Sequence, residues 1–156
     1  MPKQVMRRSA ADNEYLHKDF HGALSAALQY LDDRFGPDAV REFLRRFTLS
    51  YYAPLRQDLQ RRGLVALREH FEQLYATEGG SASITLSDDE LVMRVEACPA
   101  VTHLRAHGYP VARLFSETTR TVNEALCEGT DFAAELVEYD EETGRSVQRF
   151  HRRDAQ

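Results

Sequence analysis

At Glu78-Gly79-Gly80 the hydrophobic period of this chain changes from 3.6 to 2, and no other feature restricts its fold so strongly. Before that point apolar residues recur every three or four positions. From Asn13 to Phe35 the series is Leu16, Phe20, Leu24, Ala27, Leu28, Leu31 and Phe35, and Gly36-Pro37 ends it. A second helix is predicted from Pro37, a residue tolerated in the first helical turn, with the stripe Val40, Phe43, Leu44, Phe47, Tyr51, Leu55 and Leu59. Pro54 lies inside that stripe and lacks a backbone donor, so a kink or break is expected there. A third helix follows from Leu64 to about Thr77.

Beyond the glycines the pattern alternates. Ser83 to Leu86 and Leu91 to Ala97 flank Ser87-Asp88-Asp89-Glu90, which suits a hairpin. Leu91, Met93, Val95 and Ala97 fall on one face of the second strand, and Val92, Arg94, Glu96 and Cys98 on the other. Helices are predicted over Ala100 to His107 and Val111 to Leu126. A second hairpin joins Phe132–Tyr139 to Arg145–His151 through Asp140-Glu141-Glu142-Thr143-Gly144. No strand-helix-strand alternation calls for parallel pairing. The expected fold is α+β, with N-terminal helices packed on a four-stranded antiparallel sheet of two hairpins separated by two helices. Residues 1–11 read as a flexible tail and 12–153 as a single domain, which suits a length of 156 residues.

Charge and cysteine content narrow the function classes. The net charge of −5 argues against general nucleic-acid affinity. It is unevenly spread: between Arg34 and Arg68 eight arginines face three acids, a local excess of +5. That stretch is either a solvated helix face or a contact for phosphate or an anionic partner. No apolar run is long enough to span a membrane, and the start of the chain lacks the apolar core of a secretory signal, so a cytoplasmic chain is expected. Cys98 and Cys127 form no CxxC pair and indicate neither a disulfide framework nor a structural zinc site.

Several residues are placed for chemistry. At about 100° per residue, His17 falls inside the first helix's apolar stripe and His21 at its edge, with Glu14 beside them. Histidines at i and i+4 can reach one divalent metal ion. The same placement serves a histidine at a pocket wall or a satisfied core histidine. Cys98 ends a strand just before a short helix, where free amides favour a thiolate, and Arg94 and Glu96 share its strand face with opposite effects. His103 and His107 follow and can act as bases; an inert buried thiol is the alternative. Glu117, Thr118, Thr119 and Arg120 make either a polar site or an exposed helix face, and Tyr51, Tyr52 and His70 line either a cavity or the core. The chain has no Gly-rich phosphate loop and no nucleophile elbow, and its two lysines, Lys3 and Lys18, make a Schiff base improbable.

Val95-Glu96-Ala97-Cys98-Pro99-Ala100-Val101, Leu104-Arg105-Ala106-His107-Gly108-Tyr109-Pro110, Leu114-Phe115-Ser116-Glu117 and Thr143-Gly144-Arg145-Ser146-Val147-Gln148-Arg149-Phe150 together resemble the L-2-amino-thiazoline-4-carboxylic acid hydrolase family. The resemblance covers about the last 75 residues. Cys98 matches the family's Cys-Pro, whereas Ser116 and Gln148 stand where two further cysteines are expected. The resemblance implies opening of a cyclic amidine by adding water across a C–N bond. Cys98 would be nucleophile or orienting thiol, His17 or His103 the base, and Glu117 near the substrate. Arg94, Glu96, Ser116 and Tyr51 are the candidate substrate-binding residues. The layout is also similar to 4-vinyl-reductase-type ligand-binding domains, which makes a non-catalytic small-molecule-binding or regulatory module the alternative. No cofactor is called for beyond a possible divalent metal on Glu14, His17 and His21. The expected partners are a small-molecule substrate and, through helix one, a second copy in a homodimer.

Overall fold

The computed structural model of the protein describes residues 19–154. Four helices, α1 (Asp19–Phe35), α2 (Pro37–Tyr51), α3 (Ala53–Arg62) and α4 (Leu64–Glu78), precede the hairpin β1 (Ala82–Leu86) and β2 (Glu90–Val95). Helices α5 (Pro99–Ala106) and α6 (Glu117–Cys127) separate it from the hairpin β3 (Phe132–Tyr139) and β4 (Ser146–Arg152). The fold is α+β as expected. No helix among the described residues is long and apolar enough to cross a membrane.

The proline in the second stripe breaks the helix rather than bending it. Tyr52 leaves helical geometry at φ −94° and ψ 16°, and α3 restarts with Pro54 in its first turn. There its missing N–H costs nothing and its ring avoids the carbonyl of Ser50.

The strand expected over Leu91 to Ala97 ends at Val95, and a larger difference from the sequence expectation precedes α6. The helix predicted from Val111 begins at Glu117. The cause lies on α1: the Ser25 hydroxyl accepts the Ala112 N–H at 2.8 Å and donates to the Pro110 carbonyl at 2.8 Å, while Gln29 Oε1 accepts the Arg113 N–H at 2.8 Å. Backbone groups bound sideways to α1 no longer need partners in a helix of their own.

The sheet order is β1-β2-β4-β3, antiparallel throughout. Across its centre Leu91 opposes Phe150, Met93 opposes Gln148 and Val95 opposes Ser146, and all six are buried on the helix-covered side. Leu59, Leu67 and Phe71 from α3 and α4 pack against Leu91, Met93 and Phe150. A second apolar cluster joins α1, α2 and α5 through Leu28, Leu44, Val101 and Leu104. Each such side chain, once buried, contributes about 1.5–3 kcal/mol.

The arginine-rich stretch is largely neutralised within the fold. Arg45 makes a two-pronged bond to Glu128 at 2.5 and 2.8 Å, Arg46 pairs with Glu42, and Arg61 and Arg62 share Asp58. Arg56 donates to the backbone carbonyls of Ala125 and Glu128 at the end of α6. Arg45 and Arg56 thus clamp α2 and α3 to the end of α6, whereas Arg46, Arg61 and Arg62 pair within α2 and α3.

Candidate functional site

Cys98 caps the amino end of α5, and its N–H donates to the Thr143 carbonyl at 3.0 Å. This contact brings the Cys-Pro corner onto the β3–β4 turn. Asp140 Oδ1 shapes the turn by accepting the Glu142 and Thr143 amides and the Thr143 hydroxyl, bonds that hold its carboxyl below the usual range. Gly144 follows at φ +70°, so close that a β-carbon there would sit 2.3 Å from the Cys98 β-carbon. Sequence segments nearly fifty residues apart thus meet at one thiol.

Burial decides the state of that thiol. The Val101 and Ala100 amides at the helix start favour the thiolate, as the sequence position suggested, but burial outweighs them and Glu78 adds to it, so the Cys98 pKa is raised. Arg94 is not among the groups acting on it; it points from β2 to the exposed side. Two phenols feel the Cys98 charge, Tyr75 from α4 and Tyr139 from β3, and burial raises both. Gln148 hydrogen-bonds Tyr75 and continues inward, accepting from Asn123 at 2.7 Å and donating to Ser146 at 2.9 Å. The other cysteine, Cys127, is fully buried and pushed up to about 12. Iodoacetamide at pH 7.5 is expected to alkylate Cys98 at least about tenfold more slowly than a free cysteine, with Cys127 reacting only on unfolding. A rate equal to free cysteine, read by mass spectrometry, would show an activated thiol instead.

Beside this corner lies a cleft of about 420 Å³ between α1, the end of α4 and α5. Its polar groups include His21, Glu78, Glu96, Thr102, His103 and His107, over a floor of Ala97, Pro99 and Ala106. Gly80 lets the end of α4 pack closely beside the cleft: a β-carbon there would lie 2.6 Å from Pro99 and 2.8 Å from Tyr75. The rings of His103 and His107 sit 4.1 Å apart at i and i+4, and His21 reaches to 6.1 Å of His103. His21 has its pKa lowered by burial first and by His103 second. Among the described residues no three His, Cys, Asp or Glu side chains are placed to hold a metal ion. Glu14 and His17 lie outside the described residues.

The remaining candidates do not converge on the cleft. Glu117 is buried between α2 and α6, accepting from Arg41 Nε at 3.2 Å and from the Thr121 hydroxyl at 2.6 Å. Ser116 lines a separate small groove with Tyr139 and Arg105. Tyr51 is 68% exposed and stacks on Phe47, away from any shared cavity with Cys98. Of the predicted residues, His21, Glu96, His103 and His107 come together, joined by Glu78, which sequence reasoning missed. Tyr75 and Tyr139 were missed as well. A polar Gln148 at an inward strand position between Ser146 and Phe150 was the available signal for the interior cluster.

His70 packs edge-on against Tyr52 and Phe71 at 5.6 and 5.3 Å, and burial lowers its pKa below 6.5. The folded state therefore binds this proton less readily than the unfolded state. Stability is present in full above the unfolded value and declines as pH falls below about 6.5 toward the lowered folded value. A His70→Gln variant is expected to flatten the loss of melting temperature between pH 7 and pH 5. An unchanged slope would place the acid sensitivity elsewhere.

Comparison of the chain with protein-family models and with curated proteins finds no match in either.

Proposed function

We propose that this chain is a small-molecule-binding module whose ligand is a small organic cation, an amine or amidinium, held in the α1–α4–α5 cleft. The observation that carries this reading is the approach of Glu78 and Glu96 to one cleft of about 420 Å³ with an apolar floor. That volume lies in the usual range for small-ligand pockets, and carboxylates recognise N–H-rich cations through charge-assisted hydrogen bonds. The resemblance to amino-thiazoline carboxylate hydrolases points to the same ligand chemistry, since a protonated cyclic amidine is such a cation. Its Cys-Pro and Gly-x-x-x-Gln-x-Phe segments meet at Cys98 and Gly144, which supports the likeness of layout. A hydrolytic role for Cys98 is less well supported: its thiol is raised by burial, and Glu117 is engaged with Arg41 and Thr121.

Titration calorimetry with 2-aminothiazoline, against neutral 2-methylthiazole, tests the reading. The cation is expected to bind and the neutral ring not. Glu96→Gln should weaken binding about tenfold, equivalent to about 1.4 kcal/mol. Cys98→Ser should leave affinity unchanged. Equal binding of both rings, or ring opening that Cys98→Ser abolishes, would overturn the binding-module reading. Affinity for the cation should also fall as pH drops below about 6.5, because a proton on His21 adds positive charge to the cleft wall.

A further inference from the structure

Between Phe20 and Tyr30 the solvent side of α1 exposes Phe20, Ala23, Ala26, Ala27 and Tyr30, with no Asp, Glu, Lys or Arg in that stretch. Each of the other helices has charged residues on its exposed face. Phe20 and Tyr30 are 62% and 55% exposed, and the opposite side of α1 already packs into the core through Leu28. A helix apolar on both sides is one that packs on both sides.

We propose that this face is the contact between two copies of the chain, related by a two-fold axis with their α1 helices antiparallel. The spacing identifies the occupant. In an antiparallel pair centred on Ser25, Phe20 stands level with Tyr30 of the second copy, Ala23 with its Ala27, and Ala26 beside the axis. The pattern thus matches its own reverse, the condition an isologous interface imposes. Each large ring lies at an end of the face, opposite a ring of the other copy, and the alanines between them let the helix axes approach closely.

A groove of about 370 Å³ opens onto the same side, lined by Gly22, Ala23, Ala26, Gln29, Tyr109 and Pro110. Tyr109 packs on Gly22, a ring carbon 3.5 Å from where a β-carbon would be, and remains 43% exposed. Tyr30 of the second copy, level with Phe20, lies within two residues' rise of the Gly22 end of this groove. Phe20, Tyr30 and Tyr109 at these exposures present roughly 300 Å² of aromatic surface per copy, taking about 200 Å² per ring. With the alanines and groove walls, the buried total reaches roughly 1,000–1,200 Å², the low end of specific interfaces. An interface of that size is one of a reversible dimer rather than of a permanent one.

Sedimentation velocity of the full chain from about 1 to 200 μM tests the proposal. The expected result is a shift from the 17.9 kDa monomer toward twice that mass. Ala26→Glu, a substitution at an exposed helical position that keeps helix propensity, should hold the chain monomeric with an unchanged circular-dichroism melt. Ala26→Cys should give a disulfide-linked dimer under mild oxidation, whereas Gln57→Cys on exposed α3 should not. A monomer at every concentration, as when another part of the same chain covers α1, overturns the proposal. So does a dimer that survives Ala26→Glu, including one lost instead in Phe47→Glu on the aromatic flank of α2.

Discussion

Gly144→Ala is expected to lower stability by about 3 kcal/mol and the melting temperature by roughly 10 °C. Two independent costs add. At φ +70° an alanine gives up about 1–2 kcal/mol to the clash of its β-carbon with its own backbone. That β-carbon would also lie 2.3 Å from the Cys98 β-carbon and 3.1 Å from a Val101 methyl, neither of which is the far end of a flexible side chain. Overpacking of this kind costs about 1–3 kcal/mol. The two costs can be separated. Cys98→Gly removes the nearer contact and leaves the backbone cost, so the double variant should recover part of the loss, whereas Cys98→Ala keeps the β-carbon and should recover nothing. Urea unfolding of the four proteins gives the coupling directly, and additivity within about 0.5 kcal/mol would show that the turn does not press on the Cys98 corner.

The same turn shows what the sequence makes legible. Asp140 through Gly144 reads as a turn from residue types alone, because a short carboxylate and a glycine each supply what a tight reversal needs. The change of period at Gly79-Gly80 is equally local, as is the helix break before Pro54. What could not be read depends on distant partners. The amides of Ala112 and Arg113 leave the helix pattern because Ser25 and Gln29, more than eighty residues earlier, accept them. The state of Cys98 depends on burial among Tyr75, Tyr139 and Glu78, from elements that local spacing does not relate to it. Its helix-start position argued for an activated thiol. The inert buried thiol, the other reading of the same residues, is the one burial favours, and the groups that bury it lie outside residues 94–103.

The cleft shows the complementary case. His103 and His107 share a face by helical spacing and Glu96 precedes them closely, so part of the wall was visible in one short segment. Glu78 and His21 arrive from α4 and α1. Gly80, read as a stop signal for α4, also lets that helix end approach Pro99. One residue type therefore served two purposes, and only the first was apparent from the chain.

Glu117→Leu is expected to cost about 2–3 kcal/mol of stability while leaving ligand affinity in the cleft unchanged. The carboxyl is buried, and its two oxygens accept from Arg41 at 3.2 Å and Thr121 at 2.6 Å. Leucine fills similar space but leaves the Thr121 hydroxyl without its acceptor, and a buried group so stranded costs about 1–3 kcal/mol. The loss of Arg41's partner is cushioned, because its side chain is 47% exposed and water can take over the guanidinium. The total therefore falls below the roughly 3–5 kcal/mol that breaking a fully enclosed ion pair costs. Glu117→Gln keeps one acceptor oxygen and should cost about 1 kcal/mol, lowering the urea midpoint with no change in slope. A catalytic carboxylate would behave in the opposite way, with the glutamine variant stable and inactive. Helix α6 starts at this residue, and Arg41 and Arg45 reach it and Glu128 at its two ends. Removing Glu117 should thus loosen α6 against α2 first, which hydrogen exchange would register as faster opening of the α6 amides while the sheet amides keep their protection.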